Sequence, residues 1–330
     1  MKTKIVTERI YNKAAYWHVV HEWEDVFSET FEMEYIENKI IIFVRKVKEF
    51  LFFRFPKIFN LLFPNTKKFK NNGKEVKLCF VMDAICYRLY TQKNIVPIFL
   101  DFSGDMVEEI ISATKDIPFF YVTCYAIYNQ LVDKKCENVR FVPLSISDKY
   151  CSEIIPHKTV DVIQFGRKND VLHKYMLKYC EEHPTVEYIY QTDGAGLTYF
   201  STQKGDIGKY NERKKYFELL SSCKVSLVSS PAVDGTRKFG QGVDFITPRF
   251  YESVANFCYM LGRYTENEES KMLNLSSVCE NIRDYEQFEK LLDEFLNSSV
   301  FTKKSEYVEF LKSNSTSKRC EKIVSDIGKH

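Results

Sequence analysis

Asp244 and Glu252 stand with seven residues between them, one in a glycine-bearing loop and one in the second turn of the helix that follows. Thr247 can cap that helix, and Pro248 suits its first position. Arg249 falls in the first turn, where free backbone N–H groups and the helix dipole favour an anion. Gly235, Gly240 and Gly242 keep the loop free of side-chain bulk. Phe250, Val254, Phe257 and Leu261 recur at helical spacing and predict an apolar face. Acids for hydroxyl groups, set beside a cationic helix start for a phosphate, are the chemistry that a sugar nucleotide needs. A second anion seat is expected upstream. There an apolar strand at 160–165 runs into Gly166, Arg167 and Lys168, with a helix predicted over 171–182.

Acid, seven residues, acid, straddling a loop-to-helix junction, resembles the donor-site signature of retaining GT-B glycosyltransferases. Pro-Arg-Phe-Tyr-Glu at 248–252, followed by Gly262-Arg263-Tyr264, is similar to a bacterial subgroup of surface-polysaccharide enzymes. The resemblance runs from about residue 160 to 264. The Gly166-Arg167 turn also matches the start of the donor domain in many of these enzymes. The first acid departs from the family's Glu-Gly-Phe-Gly run, because here it is Asp244 in Val-Asp-Phe-Ile, and Asp234-Gly235 competes for the position.

The resemblance implies an α/β GT-B fold, two Rossmann-like domains facing a cleft. Residues 1–152 would form the acceptor-side domain. Residues 153–330 would form the nucleotide-sugar donor domain, with a terminal helix returning to the first. Gly166, Arg167, Lys168, Asp234, Arg237, Thr247, Arg249 and Glu252 make the expected donor-binding set. Glu252 would hold the ribose and Asp244 the donor sugar. Tyr16, His18 and Asp101 are the expected acceptor-side residues. Arg249, Asp244 and His18 are the residues placed in the catalytic step, His18 as a base. No cofactor or metal is expected, since the sequence has no Asp-x-Asp motif and the cations can stabilise a diphosphate leaving group. The acid pair implies retention of anomeric configuration.

The chain has 330 residues, enough for two domains of ordinary size. A formal charge of +2 makes no case for nucleic acid. The ten cysteines are scattered, without a C-x-x-C pair, so free thiols in a reducing compartment are expected. The polar start is unlike a signal peptide, and no run approaches the about 18 apolar residues of a membrane span. A cytoplasmic protein is expected.

Those site residues need elements to position them. A short strand is predicted at 4–6 and a helix at 14–27. Strands at 77–82, 96–100, 119–124 and 139–143 alternate with helices at 84–93, 106–115 and 126–134, which implies a parallel sheet. A polar stretch at 152–159 separates this series from a second. In the second, strands are predicted at 186–190, 225–228 and 259–261, with a mobile loop at 193–209. Helices are expected at 216–222, 284–296 and 306–327, the last broken near Asn314.

Residues 40–63 mix aliphatic and aromatic residues with Arg45, Lys46, Lys48, Arg54 and Lys57, and Pro56 divides them into two short helices. One reading is a footing on the inner face of an anionic membrane, where a lipid-linked glycan acceptor would sit. The other is a helix pair packed on the first sheet, with its lysines reaching outward. For function as a whole, the rival to a glycosyltransferase is a nucleotide-sugar epimerase, or a nucleotide-binding module, on the same fold.

Overall fold

Short runs of β-branched and aromatic residues, separated by amphipathic helices, pack here as two parallel-rich sheets. The computed structural model describes residues 2–7, 9, 12–36, 39–62, 75–82, 94–100, 106–192, 197–235 and 243–329. The first sheet has the order β2-β1-β3-β4-β5-β6 and is parallel throughout. Its strands are β1 (Lys2–Val6), β2 (Glu34–Ile36), β3 (Glu75–Val81), β4 (Ile95–Phe99), β5 (Phe120–Val122) and β6 (Val139–Phe141). Helix α1 (His18–Phe31) buries Val20, Trp23 and Phe27, one stripe at helical spacing, and ends at Glu32 in the left-handed region. Next come α2 (Lys39–Arg54) and α3 (Pro56–Leu62), divided at Pro56, then α4 (Val107–Thr114) and α5 (Tyr125–Asp133). The helix expected at 84–93 lies outside the described residues, as do Asp101 and Arg237.

The second sheet has the order β10-β9-β8-β7-β11-β12-β13. It comprises β7 (Val160–Gln164), β8 (Tyr188–Gln191), β9 (Thr198–Ser201), β10 (Gly205–Lys209), β11 (Cys223–Ser229), β12 (Tyr259–Arg263) and β13 (Cys279–Asn281). Its helices are α6 (Asp170–Glu182), α7 (Arg213–Ser222), α8 (Pro248–Ala255), α9 (Glu268–Met272) and α10 (Tyr285–Asn297). After β7 the chain builds outward on one side, then returns to lay β11 on the other. This reversal opens a crevice beyond the carboxyl ends of β7 and β11, where ligands bind in open α/β sheets.

Two expectations are corrected here. Residues 198–209 are an antiparallel hairpin rather than a mobile loop. Tyr199 and Ser201 point inward while Thr198 and Phe200 are half-buried, the alternation of a strand. Gly205 and Gly208 have positive φ and serve the turn and a bulge beside Asp206. The apolar repeat from Phe250 to Leu261 does not form one helix. It stops at Ala255, Phe257 takes φ +50°, and Leu261 belongs to β12.

The chain ends with α11 (Lys304–Ser313) and α12 (Thr316–Gly328). The break at Asn314 turns the chain beside the first sheet. Ser315 forms a parallel bridge with Ile146, and α12 packs on α1. Tyr121 donates to Asp326 at 2.9 Å, and Arg140 pairs with the same carboxylate at 3.2 Å.

Candidate functional site

The carboxyl ends of both sheets open on one cavity of about 300 Å³. Met82, Leu100 and Leu144, beyond β3, β4 and β6, form one wall with Tyr16 and His18. Phe165, Gly166, Arg167, Thr247, Arg249 and Glu252 form the facing wall.

Helix α8 positions the second wall. Thr247 occupies its N-cap position with extended backbone, and Pro248 opens it. The Thr247 hydroxyl does not cap, contrary to expectation. Its Oγ1 is buried and has no hydrogen-bond partner among the described residues, on a residue that lines the cavity. An unpartnered buried hydroxyl costs about 1–3 kcal/mol, a deficit that a ligand oxygen can remove.

The Arg249 guanidinium lies against Gly166. A Cβ built on that glycine would meet Arg249 Cζ and Nε at 3.1 Å, and Gly166 has φ +66°. Conformation and close approach therefore both call for glycine here. Arg249 Nη1 donates to the Arg167 carbonyl at 3.1 Å, and among the described residues no carboxylate pairs with it. Burial lowers its pKa below the ordinary arginine value. A half-buried cation with no counter-ion among the described residues, at a helix N-terminus, has the electrostatics that suit an anion.

Glu252 is buried on the same helix. Its Oε1 accepts from Arg213 Nη1 at 2.5 Å, and its Oε2 accepts from the Tyr216 hydroxyl. These bonds use two of the carboxylate's roughly four acceptor positions, so capacity remains for a ligand hydroxyl. Arg213 opens α7 and reaches across to α1. It donates from Nε to Glu22 Oε1 at 3.0 Å and from Nη2 to Oε2 at 2.9 Å. Burial and the Arg213 charge both lower the pKa of His18 and outweigh the opposing Glu22, so the imidazole is neutral near pH 7 and able to accept a proton.

Seven residues singled out from the sequence thus meet in one cavity: Tyr16, His18, Gly166, Arg167, Thr247, Arg249 and Glu252. Three others lie elsewhere. Lys168 turns away from the cavity, with Nζ 4.7 Å from the centre of the Tyr190 ring. Asp234 pairs with Arg263, whose Nε lies 2.9 and 3.0 Å from its two oxygens, and also accepts from Asn169. Burial raises the pKa of this carboxyl, but the bonds from Arg263 and Asn169 more than offset that and leave it below the usual range. Asp244 accepts from Ser230 Oγ at 2.8 Å and from the Ala232 amide at 3.0 Å. Both acids shape the loop beyond β11 and are not among the described residues that line the cavity. Among the described residues no cluster of side chains is arranged to hold a metal.

Arg213, Glu22, Tyr199, Tyr210 and Tyr216 were not singled out from sequence. Nothing in the local sequence sets Arg213 apart from the two lysines that follow it, or Glu22 from the other acids of its helix. Only the fold brings them together. The three tyrosines reach the cavity through the hairpin and α7.

No family model and no curated protein matches the sequence. Solved structures do match in fold. TarM aligns with a TM-score of 0.50 at 11% identity, over 78% of this chain and 55% of that one. A TarM variant from S. aureus, in complex with fondaparinux, alpha-GlcNAc-glycerol and UDP, also gives 0.50, at 9% identity over 78% and 56%. The UDP-GlcNAc 2-epimerase from Methanocaldococcus jannaschii gives 0.45 at 11% identity, over 100% of each chain. The chain spans a little over half the length of the TarM chains. The fold is GT-B, with two Rossmann-like domains facing a cleft, and the TarM structures share it.

Proposed function

We propose that this chain is a glycosyltransferase. It would take a sugar from a nucleotide-sugar donor and pass it to a glycan or lipid-linked glycan acceptor, as in bacterial surface-polysaccharide synthesis. The observation that carries this reading is Arg249, lying over Gly166 at the start of α8 with no carboxylate partner among the described residues, and with the buried Thr247 hydroxyl, likewise unpartnered among them, two positions before it. That geometry suits a diphosphate. As the bond between the sugar's anomeric carbon and the diphosphate breaks, negative charge gathers on the leaving oxygens. Arg249, Arg167 and the helix N-terminus lower the barrier by meeting that charge, with no need for a divalent ion. Glu252 accepts from ribose hydroxyls with its remaining lone pairs. The acceptor enters beside Tyr16, and neutral His18 takes the proton of the attacking hydroxyl.

Asp244, Asp234 and Lys168 take no part in this reading, because each is committed to protein groups outside the cavity. The test is incubation with a panel of nucleotide sugars and cell-derived glycans in the presence of a chelator, with products identified by mass and by the anomeric proton. Acceptor-dependent transfer is expected. Epimerisation or hydrolysis that is equally fast without acceptor would establish the rival epimerase reading instead.

A further inference from the structure

Water penalises exposed apolar side chains, and folded chains leave large ones in contiguous stripes where another phase or partner covers them. Among the described residues, half of the large hydrophobics left exposed fall within 43–62, on α2, α3 and Phe55 between them. Phe43, Val47 and Phe50 follow one another at helical spacing along α2, and Phe43 and Phe50 are 67% and 60% exposed. Ile58 and Leu61 do the same on α3, where Leu61 is 79% exposed. The Phe50 ring meets edge to face, at 6.0 Å, the ring of Phe55, the exposed residue between the two helices, and exposed Ile58 follows three positions later. Phe59 is the inward anchor, at 2% exposure. A helix pair packed flat on the sheet would hide these rings rather than present them.

The charge of the same segment identifies the occupant. Residues 39–62 carry six lysines and arginines against one glutamate. Lys46, Arg54 and Lys57 are exposed beside the apolar stripe. Apolar rings flanked by cations with long aliphatic stems match the boundary between acyl chains and anionic headgroups. A second copy of this surface would bring like charges together, which disfavours self-association through it. Such a surface suits helices that lie on a bilayer rather than cross one. No helix among the described residues is long and apolar enough to span a membrane. Helix α2, with 16 residues, is about 24 Å long against a hydrocarbon core of about 30 Å.

We propose that α2 and α3 form a docking surface for an anionic lipid bilayer, with the apolar stripe inserted at headgroup depth and the cations on lipid phosphates. This inference is independent of the reading of the cavity. It is tested by flotation of the full chain with phosphatidylcholine vesicles, with and without phosphatidylglycerol. Two triple variants are compared, Phe43→Ser/Phe50→Ser/Leu61→Ser and Lys46→Glu/Arg54→Glu/Lys57→Glu. All six side chains are exposed, so both variants should fold, and circular dichroism checks this. The parent is expected to float with the anionic vesicles only, and each variant is expected to lose about tenfold or more in bound fraction. Failure of the parent to bind anionic vesicles, or equal binding by the folded charge-reversed variant, overturns the proposal. So does dimerisation that requires the same rings without lipid. None of these results bears on nucleotide binding, so the two readings fail separately.

Discussion

Arg213 and Glu22 join the two domains by a two-pronged contact at 3.0 and 2.9 Å, and the third arm of Arg213 holds Glu252. Burial disfavours the guanidinium charge, but Glu252 and Glu22 together raise its pKa above the ordinary arginine value. Removing the arginine leaves buried Glu252 without its ion-pair partner and buried Glu22 with only the longer ion pair to Lys149, at 3.5 Å. Arg213→Ala is therefore expected to lower stability by about 3–5 kcal/mol. Arg213→Lys should lose less, because it keeps the charge and gives up the fork. Urea unfolding measures both. A stability for Arg213→Ala within about 0.5 kcal/mol of the parent would show that the contact does not hold the domains.

Gly166→Ala should separate the site from the scaffold. A left-handed alanine costs about 1–2 kcal/mol, and its Cβ would also push on the Arg249 guanidinium. Gly208 is the control, because it has φ +87° with nothing within 4 Å of its missing Cβ. Both substitutions are expected to lower the melting temperature. Only Gly166→Ala should weaken nucleoside diphosphate binding, measured by calorimetry on the folded variants. Equal binding by the two variants contradicts the placement of Arg249.

Glu252→Gln and Arg249→Ala are expected to fail in different ways. The amide gives up the charge that Arg213 and a ribose hydroxyl would share, so donor affinity should fall by about 1–3 kcal/mol. On the proposed function, Arg249 would meet charge that grows as the glycosidic bond breaks, so its loss should lower kcat more than it raises donor KM. Steady-state kinetics on variants that melt near the parent temperature distinguish the two patterns. Parental constants for both variants would remove the donor site from α8.

Glu269 gives a pH dependence. Its carboxylate is fully buried and accepts from the Ile246 amide, beside the cavity, and from the Tyr125 amide at the start of α5, both at 3.3 Å. Burial raises its pKa from 4.5 to about 8, outweighing those two bonds. The unfolded chain loses this proton near its ordinary value, whereas the folded chain keeps it to about 8. Its stabilising contribution is thus complete below about 4.5 and declines as pH rises towards about 8. Glu269→Gln keeps an acceptor but cannot titrate. The melting temperature of the parent relative to this variant should fall between about pH 5 and about pH 9. A difference that does not change with pH contradicts the assignment.

Much of this was legible in the sequence, because strands and helices announce themselves by period. The alternation that carries the parallel sheets was readable, as were the break at Pro56 and the helix start at Thr247 and Pro248. The hairpin at 198–209 was not, because Gly205 and Gly208 serve a turn and a bulge yet look like mobility in sequence. Asp234 and Asp244 were legible as acids near the site, but not as acids already engaged. That depends on Arg263, at the end of neighbouring β12, and on Ser230, at the start of the same loop. Lys168 differs from Arg167 by one position, enough to send its side chain to the other side of the turn. The link between Arg213 and Glu22 spans 191 positions, which no local pattern encodes.

The central claim is that the α8 N-terminus and Arg249 seat a nucleoside diphosphate without a metal. Calorimetry with a panel of nucleoside diphosphates, UDP first, tests it most directly. The measurement is made with and without a chelator, on the parent and on Arg249→Ala. The account predicts that at least one diphosphate binds the parent equally well in both conditions. It also predicts that Arg249→Ala weakens binding by about 1.5–3 kcal/mol, roughly tenfold or more, as expected for hydrogen bonds to a charged group. No binding by any of them, loss of binding on chelation, or unchanged affinity in the folded variant would contradict it.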